Sequence, residues 1–86
     1  MQLLEAFPDY PIDSLPPLPP GWEPTHWRNN SCPSWAAGGV TLWIDYPDAA
    51  QREVDGMQRF ALSDTDGNDL LQTDDWRDVL AYLGRA

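Results

Sequence analysis

The clearest alternation of apolar and polar positions runs through Val40-Thr41-Leu42-Trp43-Ile44-Asp45-Tyr46, with Val40, Leu42, Ile44 and Tyr46 on one side and Trp43 on the other. A period of two marks a strand with one buried face, and Pro47 ends it. A second strand is expected over Met57 to Leu62, with Phe60 and Leu62 facing inward. The turn-forming run Ser63-Asp64-Thr65-Asp66-Gly67-Asn68 then allows Asp69 to Gln72 to return as a third strand of a hairpin. Between the first two strands, Asp48 to Gly56 reads as a polar connection with a turn of helix through Ala49, Ala50 and Gln51. Upstream, Gly21 to Trp27 suits a short strand, with Trp22 and His26 on one side, which Pro24 restricts to an edge. Asn29 to Gly39 reads as a loop.

After Gln72 the period changes. Trp76, Val79, Leu80 and Leu83 recur at i, i+3, i+4 and i+7, which predicts a helix with one apolar face. Thr73 suits its N-cap, Asp74 and Asp75 sit where the helix dipole favours negative charge, and Gly84 suits the C-cap. The expected fold is α+β: a small antiparallel sheet of three to four strands, with the C-terminal helix packed on the face made by Val40, Leu42, Ile44, Phe60 and Leu62. Residues 21–86 form this single domain, and residues 1–20 form a Pro-rich extended N-terminal arm.

In the arm, Met1 to Ala6 has the composition for one helical turn with Leu3 and Leu4 on the same side, stopped by Pro8 and Pro11. Phe7 to Pro20 favours polyproline II, as a tail or as a strip lying on the domain; its leucines and aromatics favour the strip. Leu18-Pro19-Pro20-Gly21-Trp22-Glu23 resembles the opening of a WW domain. The resemblance covers those six residues, and no Trp-Pro pair follows in this chain, so it assigns no binding residues.

Composition narrows the function. Fourteen acidic residues against five arginines and no lysine leave a formal charge of −9. Such a balance opposes direct nucleic-acid binding, which rests on clustered cations, and favours a partner protein with a basic surface. Cys32 is the sole cysteine, which excludes an intramolecular disulfide, so an 86-residue chain must rely on its five tryptophans and other aromatic residues for burial. No apolar run approaches the roughly 18 residues of a membrane span, and no basic flank joins an apolar segment at the N-terminus. A soluble, cytoplasmic, monomeric protein is expected.

Catalytic chemistry finds little support. The Asp64-Thr65-Asp66-Gly67-Asn68-Asp69 run has carboxylates ahead of a glycine, as a calcium loop does. With Gly67 at position six of such a loop, however, Leu62 and Thr73 occupy the end positions, and neither is a competent ligand. His26 and Cys32 raise a hydrolase or metal protein as a remote alternative, but a zinc site needs more ligands and a nucleophilic thiol needs an electropositive setting. The expectation is a non-enzyme without cofactor or metal. Asp64, Asp66, Asp69, Asp74, Asp75 and Asp78 crowd into one segment opposed only by Arg77. Together with Trp27, Trp35 and Trp43 as exposed aromatic anchors, they are the candidate partner-binding residues of a small acidic protein-binding module. The competing form of this idea is a nucleic-acid mimic, as in small phage and mobile-element inhibitors, whose carboxylates imitate phosphates on a basic partner.

Overall fold

A computed structural model of the chain describes residues 2–27, 30–53 and 56–84. Parts of three expected elements lie outside these ranges: Met1 of the first helical turn, Asn29 of the loop, and residues 54–55 of the connection. The elements are helix α1 (Leu3–Ala6), strands β1 (Glu23–Pro24), β2 (Ser34–Ala37), β3 (Val40–Ile44), β4 (Phe60–Asp64) and β5 (Asp69–Thr73), and helix α2 (Trp76–Leu83). Single 3-10 turns occupy Ile12–Ser14 and Ala49–Gln51. The five strands form one antiparallel sheet in sequence order, with α2 packed on it, so the class is α+β and the strand count exceeds the three to four expected.

The extra strand is β2, in the stretch expected to be a loop. Gly38 and Gly39 both take positive φ, +56° and +80°, and form the two-residue turn of a hairpin that pairs Ala37 with Val40. Such a turn matches the right-handed twist of its flanking strands and needs residues tolerant of positive φ at both positions. Ser-Trp-Ala-Ala has little strand character by itself; its pairing comes from β3. The expected edge strand over Gly21 to Trp27 shrinks to Glu23–Pro24, paired with Trp35 and Ala36.

Register explains the core. Trp35, Leu42, Leu62 and Leu71 stand opposite one another across β2 to β5, and Ile44 stands opposite Phe60, so all share one face. Leu42, Ile44 and Leu62 are wholly buried. β4 starts three residues later than expected. Arg52 draws the Met57 carbonyl into the connecting loop with a 2.9 Å bond from Nη1. The turn that follows is tightened by Asp64, whose Oδ1 accepts from the backbone N–H of both Asp66 and Asn68 at 2.9 Å.

Two segments cover the face. From α2, Val79 is wholly buried and Trp76 lies partly buried with its ring 5.2 Å from that of Phe60. Trp76, Tyr82 and Leu83 flank Val79, whereas Leu80, expected on the apolar face, is 43% exposed. An eight-residue helix whose contact is centred on Val79 turns the adjacent position outward by about 100°. The N-cap is Asp75, whose side chain accepts from Arg77 N–H; Thr73 remains in β5 and supports the junction by accepting from Asp75 N–H and donating to Asp78 Oδ2. Gly84 closes the helix as expected, donating to the Leu80 carbonyl at 3.0 Å.

The second covering segment is the N-terminal one. Leu3, Ala6, Phe7 and Tyr10 are buried in the same cluster as the sheet residues, and Leu15 and Leu18 pack against it. Leu4 is 46% exposed and does not share a side with Leu3. Polar bonds hold the segment: Tyr10 Oη donates to the Asp45 carbonyl at 3.0 Å, Tyr46 Oη donates to Asp9 Oδ1 at 2.8 Å, and Arg59 Nη2 donates to the Ser14 carbonyl and hydroxyl at 3.1 Å each.

Candidate functional site

Alternation along each strand leaves a second face. Ser34, Trp43, Ala61 and Gln72 stand opposite one another there, with Ala36, Thr41 and Ser63 in a neighbouring row. Ser34 is buried, where its hydroxyl meets that of Thr25 at 2.8 Å; Ala36, Thr41, Trp43, Ala61 and Ser63 are partly exposed and Gln72 is exposed. Trp43 is the one large side chain in these rows. Its indole Nε1 donates to Ser63 Oγ at 3.1 Å across the β3–β4 ladder, which satisfies the ring nitrogen while leaving its π system available.

Beside Trp43 lies a cavity of about 220 Å³, with Trp43, Asp45, Met57, Arg59, Asp69 and Gln72 among its walls. Asp45 continues the outward parity of Thr41 and Trp43 just past the end of β3, where its N–H still bonds the Arg59 carbonyl at 2.7 Å. The residue is only 6% exposed. Oδ1 accepts from Tyr46 N–H at 2.8 Å. Burial raises its pKa, opposed by that hydrogen bond and by the charges of Arg52 and Arg59. Cys32 borders the same cavity, and burial, with the charge of Asp45 adding to it, pushes its thiol up to about 12.

The six candidate aspartates divide into two groups. Asp64, Asp66 and Asp69 surround the β4–β5 turn, and Asp74, Asp75 and Asp78 surround the β5–α2 junction. β5 separates the groups by about 13 Å at 3.3 Å per residue. Most of these carboxylates are bonded within the chain. Asp64 organises its turn, which lowers its pKa through bonds from Asn68, and Asp69 accepts from Gln72 Nε2 at 3.1 Å. Asp74 accepts from Arg59 N–H at 2.9 Å and lies 3.6 Å from Arg52 Nη1. Asp75 pairs with Arg77 at 2.8 Å, and Asp78 accepts from Thr73. Asp66 is exposed at the tip of its turn.

The three candidate tryptophans differ in placement. Trp27 is 50% exposed and Trp43 partly so, but Trp35 is 6% exposed. Trp35 therefore belongs to the core and not to an exposed surface, because β2 places it opposite Leu42 on the covered face. His26, expected on an edge strand, is also buried. Its ring meets Trp35 edge-on at 4.7 Å and its Nδ1 accepts from Ser34 N–H at 3.3 Å. Burial lowers its pKa. A neutral, engaged imidazole and a protonated thiol are a poor basis for nucleophilic catalysis. Among the described residues no three His, Cys, Asp or Glu side chains gather closely enough to hold a metal ion.

Asp45 and Met57 were not candidates from the sequence. The signal for Asp45 was present, since Thr41, Trp43 and Asp45 share the outward parity of β3; Met57 comes to the cavity through the path of the loop and has no such signal. No protein-family model matches the chain, and no curated protein or solved structure matches it significantly.

Proposed function

We propose that this protein is a non-catalytic binding module that docks on a basic surface of a partner protein through the open face of its sheet, with Trp43 as the anchor and the Asp64–Asp69 turn as an acidic rim. The observation that carries this reading is the asymmetry of the sheet. One face is covered by α2 and the N-terminal segment, while the other presents an indole among small residues. A rigid aromatic surrounded by small side chains makes a good interface centre, since it loses little conformational entropy on binding. Charge adds steering: a chain with net charge −9 and exposed Asp66 and Asp69 beside the face attracts cationic surfaces at long range. Engagement of most aspartates in internal bonds favours docking of this kind over imitation of a row of phosphates.

The test is comparative capture from cell lysate, with partners identified by mass spectrometry for the wild type, Trp43→Ala and Asp66→Lys/Asp69→Lys. A basic partner retained by the wild type, lost with Trp43→Ala and weakened in a salt-dependent way by the charge reversals supports the reading. If Trp43→Ala, with an unchanged circular-dichroism spectrum, keeps every wild-type partner, the open face is not the interface.

A further inference from the structure

We infer that the cavity beside Trp43 is a receptor for one arginine side chain of the docking partner, held against the indole by the carboxylate of Asp45, with Asp69 adding negative charge further along the cavity wall; the inference rests on the docking reading and adds the ligand chemistry to it. A volume of about 220 Å³ lies below the range of roughly 300–1,000 Å³ typical of small-molecule pockets, and suits a side chain.

Asp45 points to a cation. It is more than nine-tenths buried, yet no Lys or Arg side chain lies within ion-pair distance of it among the described residues, where the ion pairs are Arg52–Asp74 and Arg77–Asp75. Oδ1 is used by Tyr46 N–H. Among the described residues no donor to Oδ2 is found, and Asp45 borders the cavity. A buried carboxylate without a countercharge is costly, and an arriving guanidinium removes that cost with charge-assisted bonds.

The cations already near do not fill this role. Arg59 lines the cavity, but its Nε donates to the Asp45 backbone carbonyl and its Nη2 to Tyr10 Oη and to Ser14. Arg52 is held by the Tyr46 and Met57 carbonyls. Arginine is favoured over lysine because a planar guanidinium stacks on an indole while donating in its own plane to a carboxylate. Asp69 adds negative charge to the cavity wall from β5, where it accepts from Gln72.

The experiment is a titration of the 15N-labelled full chain with Nα-acetyl-arginine amide, followed by NMR, with the lysine and norleucine amides as comparisons. Shifts should concentrate on the Trp43 indole N–H and on the amides of Cys32, Asp45, Met57 and Gln72, the lysine amide should bind more weakly, and the norleucine amide should leave the spectrum unchanged. Asp45→Asn, which retains an acceptor for Tyr46 N–H, should weaken binding at least tenfold. Asp69→Asn alters only an exposed side chain and should weaken it by a smaller factor, which keeps the test valid if Asp45→Asn fails to fold. Shifts confined to the outer aspartates, or equal affinity in both variants, overturn the inference. A partner that depends on Trp43 in lysate, with no arginine-amide binding, refutes the cavity while leaving the docking face intact. Arginine-amide binding that depends on Asp45, with no Trp43-dependent partner, supports the cavity and refutes the docking reading.

Discussion

Replacing Phe7 by alanine measures whether the N-terminal segment belongs to the core. Phe7 is 6% exposed in a cluster that includes Phe60 and Leu62, so its removal loses both transfer energy and packing contacts. For a buried Phe→Ala change the cost is about 3–5 kcal/mol. A domain of 86 residues at about 0.05–0.15 kcal/mol per residue has roughly 4–13 kcal/mol in total, so Phe7→Ala removes a large share and unfolds the protein if its stability lies at the lower end. Urea titration read by far-UV circular dichroism and tryptophan fluorescence is the assay. At a slope of about 1.5 kcal/mol per molar urea, the midpoint falls by about 2–3 M. Phe7→Leu, which keeps most of the volume, should lower stability by less than about 1.5 kcal/mol and reports on the site even if the alanine variant does not fold. Leu4→Ala provides the control: at 46% exposure in the short helix just before Phe7, it should move stability by no more than about 0.5 kcal/mol. If Phe7→Ala matches Leu4→Ala, the segment contributes nothing to the core and the reasoning fails.

Two further outcomes are expected. Trp76→Ala should cost about 2–3 kcal/mol, less than a fully enclosed tryptophan, because the ring is only partly buried against Phe60; a melting curve unchanged within error would remove Trp76 from the core. Cys32, with its thiol raised from 9.0 to about 12, holds roughly a thousandfold fewer thiolates at neutral pH than an unperturbed cysteine, so a disulfide reagent should label it slowly in the native protein and rapidly in urea. Equal rates in the two states would show that Cys32 is not buried.

The site was only partly legible in the sequence, for reasons visible in particular residues. Trp43 was placed correctly on the outward side of β3 because period-two alternation sets facing within a strand whatever it packs against. Trp35 was misplaced because its facing depends on β2, and Ser-Trp-Ala-Ala becomes a strand only when the Gly38-Gly39 turn folds it onto β3. The Gly-Gly pair was a usable sign, since a two-residue turn before a strand implies another strand ahead of it. Proximity in sequence was misleading for the aspartates: six residues close along the chain are parted by the length of β5, and their charge is largely engaged in turn, cap and ion-pair geometry.

By itself the sequence determined the local and periodic features: β3, the β4–β5 hairpin, the C-terminal helix with its glycine stop, the acidity, and reliance on aromatic burial without disulfides. These follow from interactions between near neighbours and from composition. Tertiary structure alone decided that Phe7 and Tyr10 help α2 to cover the expected face of the sheet, and that Asp45 ends up buried beside Trp43 with no ion pair among the described residues. The N-terminal cover depends on contacts between residues more than thirty positions apart, such as Tyr10 with Asp45 at a separation of 35, and no local pattern encodes such a meeting.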